Sequence, residues 1–138
     1  MLGYKSMSVG ALLVAVQFLC GCDWSPQRLS VSGNVTFQNK PLSNGTITFY
    51  PVSTGTQAGA VIKHGRYEIA QEKGLKPGRY RVEISSPDGQ TPVDGNAAPG
   101  PSGNFASKDR IPDEFNTNSK HQIEITNGGP SRFDFAIP

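Results

Sequence analysis

The stretch RYRVEIS, residues 79–85, decides the fold class. Its apolar residues Tyr80, Val82 and Ile84 alternate with charged or polar residues. A period of two places successive side chains on opposite faces of a strand, so one face is apolar and the other is charged. An antiparallel strand with one buried and one solvent-exposed face requires this pattern. The stretch therefore predicts a half-buried β-strand.

The same alternation recurs on both sides of this stretch and predicts six further strands. They cover residues 29–37, 46–50, 58–63, 66–70, 120–126 and 131–137. Turn signals separate them: Asn39-Lys40-Pro41-Leu42, the turn dipeptide Asn44-Gly45, the two-residue turn His64-Gly65, and Asn127-Gly128-Gly129-Pro130, which predicts a hairpin between the last two strands. Gly33, inside the first strand, suggests a bulge or a close backbone approach. The pattern predicts an all-β fold, a β-sandwich of seven to eight strands.

Residues 86–119 interrupt the strand pattern. The segment begins SPDGQTPVDGNAAPGPSGN, which is rich in proline, glycine, asparagine and aspartate and nearly free of apolar residues. Such a composition predicts a long, exposed and flexible loop. Phe105, Ile111 and Phe115 in its second half are expected to pack back onto the sheet edge.

The first 21 residues have the composition of a secretory signal peptide. Lys5 supplies the positive charge, and the apolar run Val9–Leu19 has about eleven residues, against the ~20 needed to span a bilayer. The run ends in Leu19-Cys20-Gly21-Cys22, which resembles the lipobox of bacterial lipoproteins. The resemblance implies cleavage between Gly21 and Cys22 and acylation of the Cys22 thiol.

The alternative is an ordinary signal peptide cleaved near Cys20. The chain after Cys22 contains no cysteine, so the rest of the protein cannot form an internal disulfide. The sequence thus divides into a signal peptide (1–21), a lipidated tether (22–28) and one domain (29–138). The expected location is the cell envelope, anchored in a lipid bilayer, with the inner or outer membrane left open.

Charge and reactive side chains exclude several function classes. The net charge of +2 comes from scattered basic residues, which does not indicate a nucleic-acid partner. His64 falls in a turn and His121 at the start of a strand, no serine lies in a Gly-x-Ser-x-Gly elbow, and Asp113-Glu114 is a neighbouring pair in a loop. Asp88, Asp94 and Asp109 fit no calcium-loop spacing. We expect no catalytic residues, metal or cofactor.

Seven segments in order resemble a known pattern. They are VSGNVT (31–36), KPL (40–42), ITFYP (47–51), GRY (65–67), GLKPGRYRV (74–82), IPDEFN (111–116) and FDF (133–135). Their order and spacing are similar to small lipoproteins of planctomycete-type bacteria that carry a carboxypeptidase-regulatory-like, transthyretin-like domain. The resemblance covers residues 29–138 and implies a prealbumin-like sandwich, with no activity assigned to most members.

The segment Pro77-Gly78-x-Tyr80 resembles a tyrosine corner, in which the hydroxyl bonds to backbone a few residues upstream. Transthyretin-fold enzymes that hydrolyse 5-hydroxyisourate use several histidines and end in Tyr-Arg-Gly-Ser. This chain has two histidines and ends Phe135-Ala136-Ile137-Pro138, so that activity is not expected.

The expected function is that of a membrane-anchored, non-enzymatic binding or structural module. The expected domain is monomeric and contacts an envelope protein or polysaccharide through the 86–119 loop or through an exposed strand edge. The first alternative is a carbohydrate-binding module that uses exposed aromatic residues, of which Trp24, Tyr50 and Phe115 are the candidates. The second is an unrecognised hydrolase.

Overall fold

The computed structural model describes residues 27–92 and 107–138. Within these ranges the chain forms strands, turns and two single-turn 3₁₀ helices, Gln71–Lys73 and Asp113–Phe115, and no α-helix. The strands are β1 (Val31–Phe37), β2 (Lys40–Pro41), β3 (Asn44–Pro51), β4 (Ala58–Lys63), β5 (Arg66–Ile69), β6 (Gly78–Ser85), β7 (Pro87–Pro92), β8 (Ser107–Asp109), β9 (Gln122–Ile125) and β10 (Phe135–Ile137). The predicted all-β class is confirmed for this part of the chain.

One curled sheet contains eight of these strands. Its order is β10-β1-β5-β4-β3-β6-β9, with β2 paired to the end of β1. All neighbours are antiparallel except β1 and β10, which run parallel. β7 and β8 form a separate two-stranded sheet. β3 is an interior strand of this sheet, because it pairs with β4 on one side and with β6 on the other.

The alternation in the strands puts their apolar side chains into one core. Tyr80, Val82 and Ile84 of β6 are at most 3% exposed, as the period-two pattern predicts. The remaining core residues are Val31, Val35, Leu42, Ile47, Phe49, Ile62, Tyr67, Ile69, Leu75, Ile111, Ile125 and Ile137. Removing this apolar surface from water is the main stabilising term of a fold that has no disulfide after Cys22.

The chain reversal predicted at Asn44-Gly45 is wrong. Asn44 pairs with Lys63 as the first residue of β3, so this dipeptide lies within a strand. The reversal occurs earlier, at Gln38 and Asn39, whose φ angles are +51° and +60°. It begins one residue before the turn predicted at 39–42, and Lys40–Pro41 of that predicted turn form β2. Two left-handed residues make the tight turn that joins a two-residue hairpin. The turn therefore leads from β1 into β2.

The hairpin predicted between the last two strands is also wrong. The turn is real, with Gly128 at φ +76° and the Gly129 amide donating to the Thr126 carbonyl at 3.0 Å. However, β9 pairs with β6, whereas β10 pairs in parallel with β1. A turn signal reports a local reversal of direction and carries no information about which distant strand edge the chain then meets.

The segment predicted as a long loop contains regular structure at both ends. β7 and β8 pair with each other, and the 3₁₀ helix Asp113–Phe115 follows. Ile111 is buried and Phe115 packs partly against the core, as expected, while Phe105 lies outside the described residues. The alternation of apolar and polar residues did not predict β7 and β8, because side-chain hydrogen bonds, rather than alternating apolar residues, hold this segment in place.

Candidate functional site

The predicted lipidation site lies outside the described part of the chain. Gly21 and Cys22 precede residue 27, as does most of the tether. The described structure begins where the tether meets the sheet: Arg28 donates from Nη1 to the Gly74 carbonyl at 3.0 Å, and Leu29 bridges to Leu75. Among residues 27–92 and 107–138 there is no helix long and apolar enough to cross a membrane.

The segment predicted as a tyrosine corner opens β6. The Tyr80 side chain is buried, and its hydroxyl donates to the Lys76 carbonyl at 3.0 Å. Gly78 adopts φ +151°, which a residue with a side chain rarely does. Burial raises the pKa of the Tyr80 hydroxyl, which keeps it a protonated donor. These contacts fix the entry of the chain into the sheet.

The candidate acid–base residues are not brought together. His64 lies in the β4–β5 turn, and the His121 ring stacks on Phe115 with 4.4 Å between ring centroids. Asp113 and Glu114 are exposed in a 3₁₀ turn. Across the two described ranges, no group of three or more His, Cys, Asp or Glu side chains could hold a metal ion.

The two described aromatic residues considered for carbohydrate binding each contact another side chain. The Arg81 guanidinium lies over the Tyr50 ring, 5.0 Å from its centroid, and Arg81 also pairs with Glu83 at 2.5 Å. One face of Phe115 is covered by His121. Trp24 lies outside the described residues. A sugar stacks on an exposed ring face, and here each ring of the two described residues already has a neighbour.

Asp109 forms a network that the sequence did not reveal. One of its carboxylate oxygens accepts from the Ser86 and Ile111 amides, each at 2.9 Å, and the other accepts from the Ser85 hydroxyl at 2.5 Å. Burial alone would raise the pKa of Asp109, but these hydrogen bonds and one from Asn116 outweigh it, so the pKa lies below its ordinary value. Asp109 is therefore a structural acceptor at the end of β8.

A surface recess lies where β4 and β5 separate. The two strands leave the His64-Gly65 turn with Lys63 and Arg66 as their only register pair. Beyond that pair they diverge and leave a recess of about 850 Å³ between them. We call this recess the β4–β5 groove. Residues of β4, β5 and β1 line it, including the buried Tyr67 and Ile69, together with Ala70, Glu72, Lys73 and Arg132.

Several charged side chains surround the β4–β5 groove. Lys63, Arg66 and Lys73 are exposed and have no ion-pair partner among the described residues. Arg132 also lines the groove and pairs at 3.4 Å with Asp134. Glu68 and Glu72 are the acidic lining residues. Apart from the paired Arg132, three cations against two carboxylates leave the groove with a positive excess.

A rigid contact lies behind the groove wall. The Tyr67 hydroxyl donates to the Phe133 carbonyl at 2.7 Å. Gly33 allows this carbonyl to approach, because an ideal Cβ at Gly33 would lie 1.8 Å from the Phe133 oxygen. The close approach suggested by a glycine inside the first strand is therefore confirmed. It holds β1, β5 and the segment before β10 in one unit, so the groove has a fixed wall.

The sequence did not reveal the groove, because the groove forms where the pairing of β4 with β5 stops after one register pair. The period-two pattern and the turn correctly predict β4, β5 and the His64-Gly65 reversal, and a hairpin normally continues its ladder. One available signal was Val61, which lies on the outward face of β4 and is 59% exposed. A single exposed apolar residue is common on protein surfaces, so Val61 alone did not distinguish a contact surface from an ordinary strand face.

Comparison with known proteins identified no relative. No family model, curated protein or solved structure matches the chain.

Proposed function

We propose that the chain is a membrane-anchored, non-enzymatic lipoprotein of the bacterial cell envelope, held in the bilayer by an acylated Cys22. Its domain is a transthyretin-like β-sandwich of the carboxypeptidase-regulatory-like kind and acts as a binding module. The lipobox-like segment ending in Cys22 supports the anchor, and the curled antiparallel sheet is compatible with the sandwich.

The β4–β5 groove is the observation that carries the binding role. It combines an open recess, an exposed valine and unpaired cations on a rigid sheet. Catalysis by acid–base or nucleophilic groups would require side chains within hydrogen-bond reach of one another in such a recess. The groove instead presents backbone edges and separated charges, which suit recognition.

A site-specific photo-crosslinking experiment in cells tests this proposal. A photoreactive residue at Val61 in the full-length protein is expected to give a reproducible adduct, and the Cys22→Ser protein is expected to lose it. The matched control is Val52, which is 50% exposed but lies outside the groove. Equal adducts from both positions, or an adduct from neither, would contradict a binding role for the groove.

A further inference from the structure

The hydrogen-bond pattern of the sheet shows which backbone groups face the β4–β5 groove. The Val52 amide donates to the Arg79 carbonyl at 3.0 Å, so even-numbered residues of β3 bond to β6 and odd-numbered residues bond to β4. In the antiparallel pairing of β3 with β4, Ile47 lies opposite Ala60, so each odd-numbered residue of β3 lies opposite an even-numbered residue of β4. The even-numbered residues of β4 therefore bond to β3.

It follows that the odd-numbered residues of β4 point their backbone groups into the groove. Lys63 pairs through its backbone with Arg66 of β5. Gly59 and Val61 have no register partner on β5 in the described structure. The same argument applies to Glu68 of β5, because the Val35 amide donates to the Gly65 carbonyl and sets the alternation on that strand. Both walls of the groove thus carry free strand edges.

The β4 edge has none of the features that usually protect such an edge. Proteins block exposed edges with proline, inward charges or bulges, because unpaired N–H and C=O groups attract a further strand. Ala58–Lys63 contains no proline, its register with β3 is continuous, and its only charge stands at the turn end. Small residues and the exposed Val61 leave the edge accessible to another backbone.

We propose that the free edge of β4 binds an extended, acidic peptide segment of a partner protein by strand addition. The proposal rests on the proposed binding role of the groove and names its partner class. Main-chain hydrogen bonds to Gly59 and Val61 supply register, and an alternate apolar side chain covers Val61. Carboxylates on the peptide meet the unpaired Lys63 and Arg66.

The charges favour this occupant over a second copy of the chain. A β4 edge of a second copy would bring no carboxylate to Lys63 and Arg66, because Ala58–Lys63 contains no acidic residue. An acidic segment instead supplies the missing counter-charges. An anionic polysaccharide could meet the cations, but it would leave the amides of Gly59 and Val61 without a backbone partner.

A direct binding measurement distinguishes these occupants. The probe is a fluorescent peptide of about ten residues that alternates valine with glutamate, titrated onto the full-length protein in detergent micelles. Binding is expected to weaken about tenfold or more when alternate peptide amides are methylated, and again when lysine replaces glutamate. Hydrogen exchange at the Val61 amide is expected to slow when the unmodified peptide is bound.

Protein variants test the two contributions separately. Val61→Pro removes the exposed amide without removing a ladder bond and is expected to abolish binding, whereas Val61→Thr keeps the amide and is expected to bind. Lys63→Gln with Arg66→Gln is expected to weaken binding about tenfold. The matched control is Lys40→Gln with Lys120→Gln, which changes two exposed lysines outside the groove.

The outcomes separate failure of this inference from failure of the proposed function. If methylated and unmodified peptides bind equally, or if dextran sulfate competes while the Val61 amide exchanges freely, strand addition is wrong and the groove is an electrostatic site. If no peptide binds but the Val61 crosslink persists in cells, the groove binds another class of partner. Loss of both signals overturns both proposals.

Discussion

At the residue scale, Gly33 is a position that cannot accept a side chain unless the neighbouring backbone moves. A methyl group there would lie 1.8 Å from the Phe133 oxygen and 2.9 Å from the Tyr67 ring. We expect Gly33→Ala to lower the free energy of unfolding by about 3 kcal/mol, because β1 and the segment before β10 must separate. Urea unfolding measures this. Gly55→Ala is the control. Gly55 is exposed, and the atom nearest to an added Cβ there is the Pro51 Cβ at 3.2 Å, so this change is expected to lower the free energy of unfolding little.

Tyr67 tests the same contact from its other side. Its buried hydroxyl donates to the Phe133 carbonyl, and burial raises its pKa, so it remains a donor at neutral pH. Tyr67→Phe is expected to cost about 1–2 kcal/mol in unfolding free energy, because the carbonyl loses its partner. Tyr50→Phe changes a half-buried tyrosine on the outer face and is expected to cost less. Equal effects would mean that the Phe133 contact contributes nothing specific.

Asp109 makes stability depend on pH. Its folded pKa lies below the ordinary value of 3.8, so its contribution is present above that value and is lost as pH falls through the lower, folded pKa. We expect Asp109→Asn to lower the free energy of unfolding by about 1–3 kcal/mol at neutral pH and to flatten the acid limb of a stability curve. Asp113→Asn, at an exposed position, is expected to leave neutral-pH stability unchanged.

At the scale of the element, the β4–β5 hairpin depends on its turn. His64 and Gly65 have φ angles of +52° and +74°, and a Cβ at Gly65 would lie 2.7 Å from Pro41. Gly65→Ala is therefore expected to cost about 1–3 kcal/mol, measured by thermal or urea unfolding. His64→Asn provides the contrast, because asparagine adopts the left-handed conformation readily, and it is expected to be neutral or stabilising. A neutral Gly65→Ala would contradict this account.

The elements also show how far sequence patterns extend. Alternation predicted β4 to its exact bounds and predicted which residues of β6 are buried, because burial on one strand face is a local property. Pairing is not local: nothing in residues 131–137 indicates that β10 joins β1 in parallel. The groove arises from the same non-local source, since it exists only because β4 and β5 diverge after one pair.

At the scale of the whole molecule, Arg28, the last residue of the tether, lies near the groove. Arg28 bonds to the Gly74 carbonyl, and Lys73, which precedes Gly74, is one of the residues that line the groove. A lipid attached at Cys22 would thus hold the groove close to the bilayer surface, separated by a tether of a few residues. A partner that meets this edge would itself belong to the envelope, which links the anchor to the binding role.

The anchor itself gives the last prediction. Cys22→Ser is expected to move the processed protein from the membrane fraction to the soluble fraction, because without acyl chains the tether, residues 22–28, has only Trp24 as a large apolar side chain to bury in a bilayer. The urea midpoint of the domain is expected to stay the same, since the core residues all lie within 31–137. Cys20→Ser is the matched control and is expected to leave the protein membrane-bound. Membrane retention of a Cys22→Ser protein whose mass shows that residues 1–21 have been removed would show that Cys22 is not the anchor.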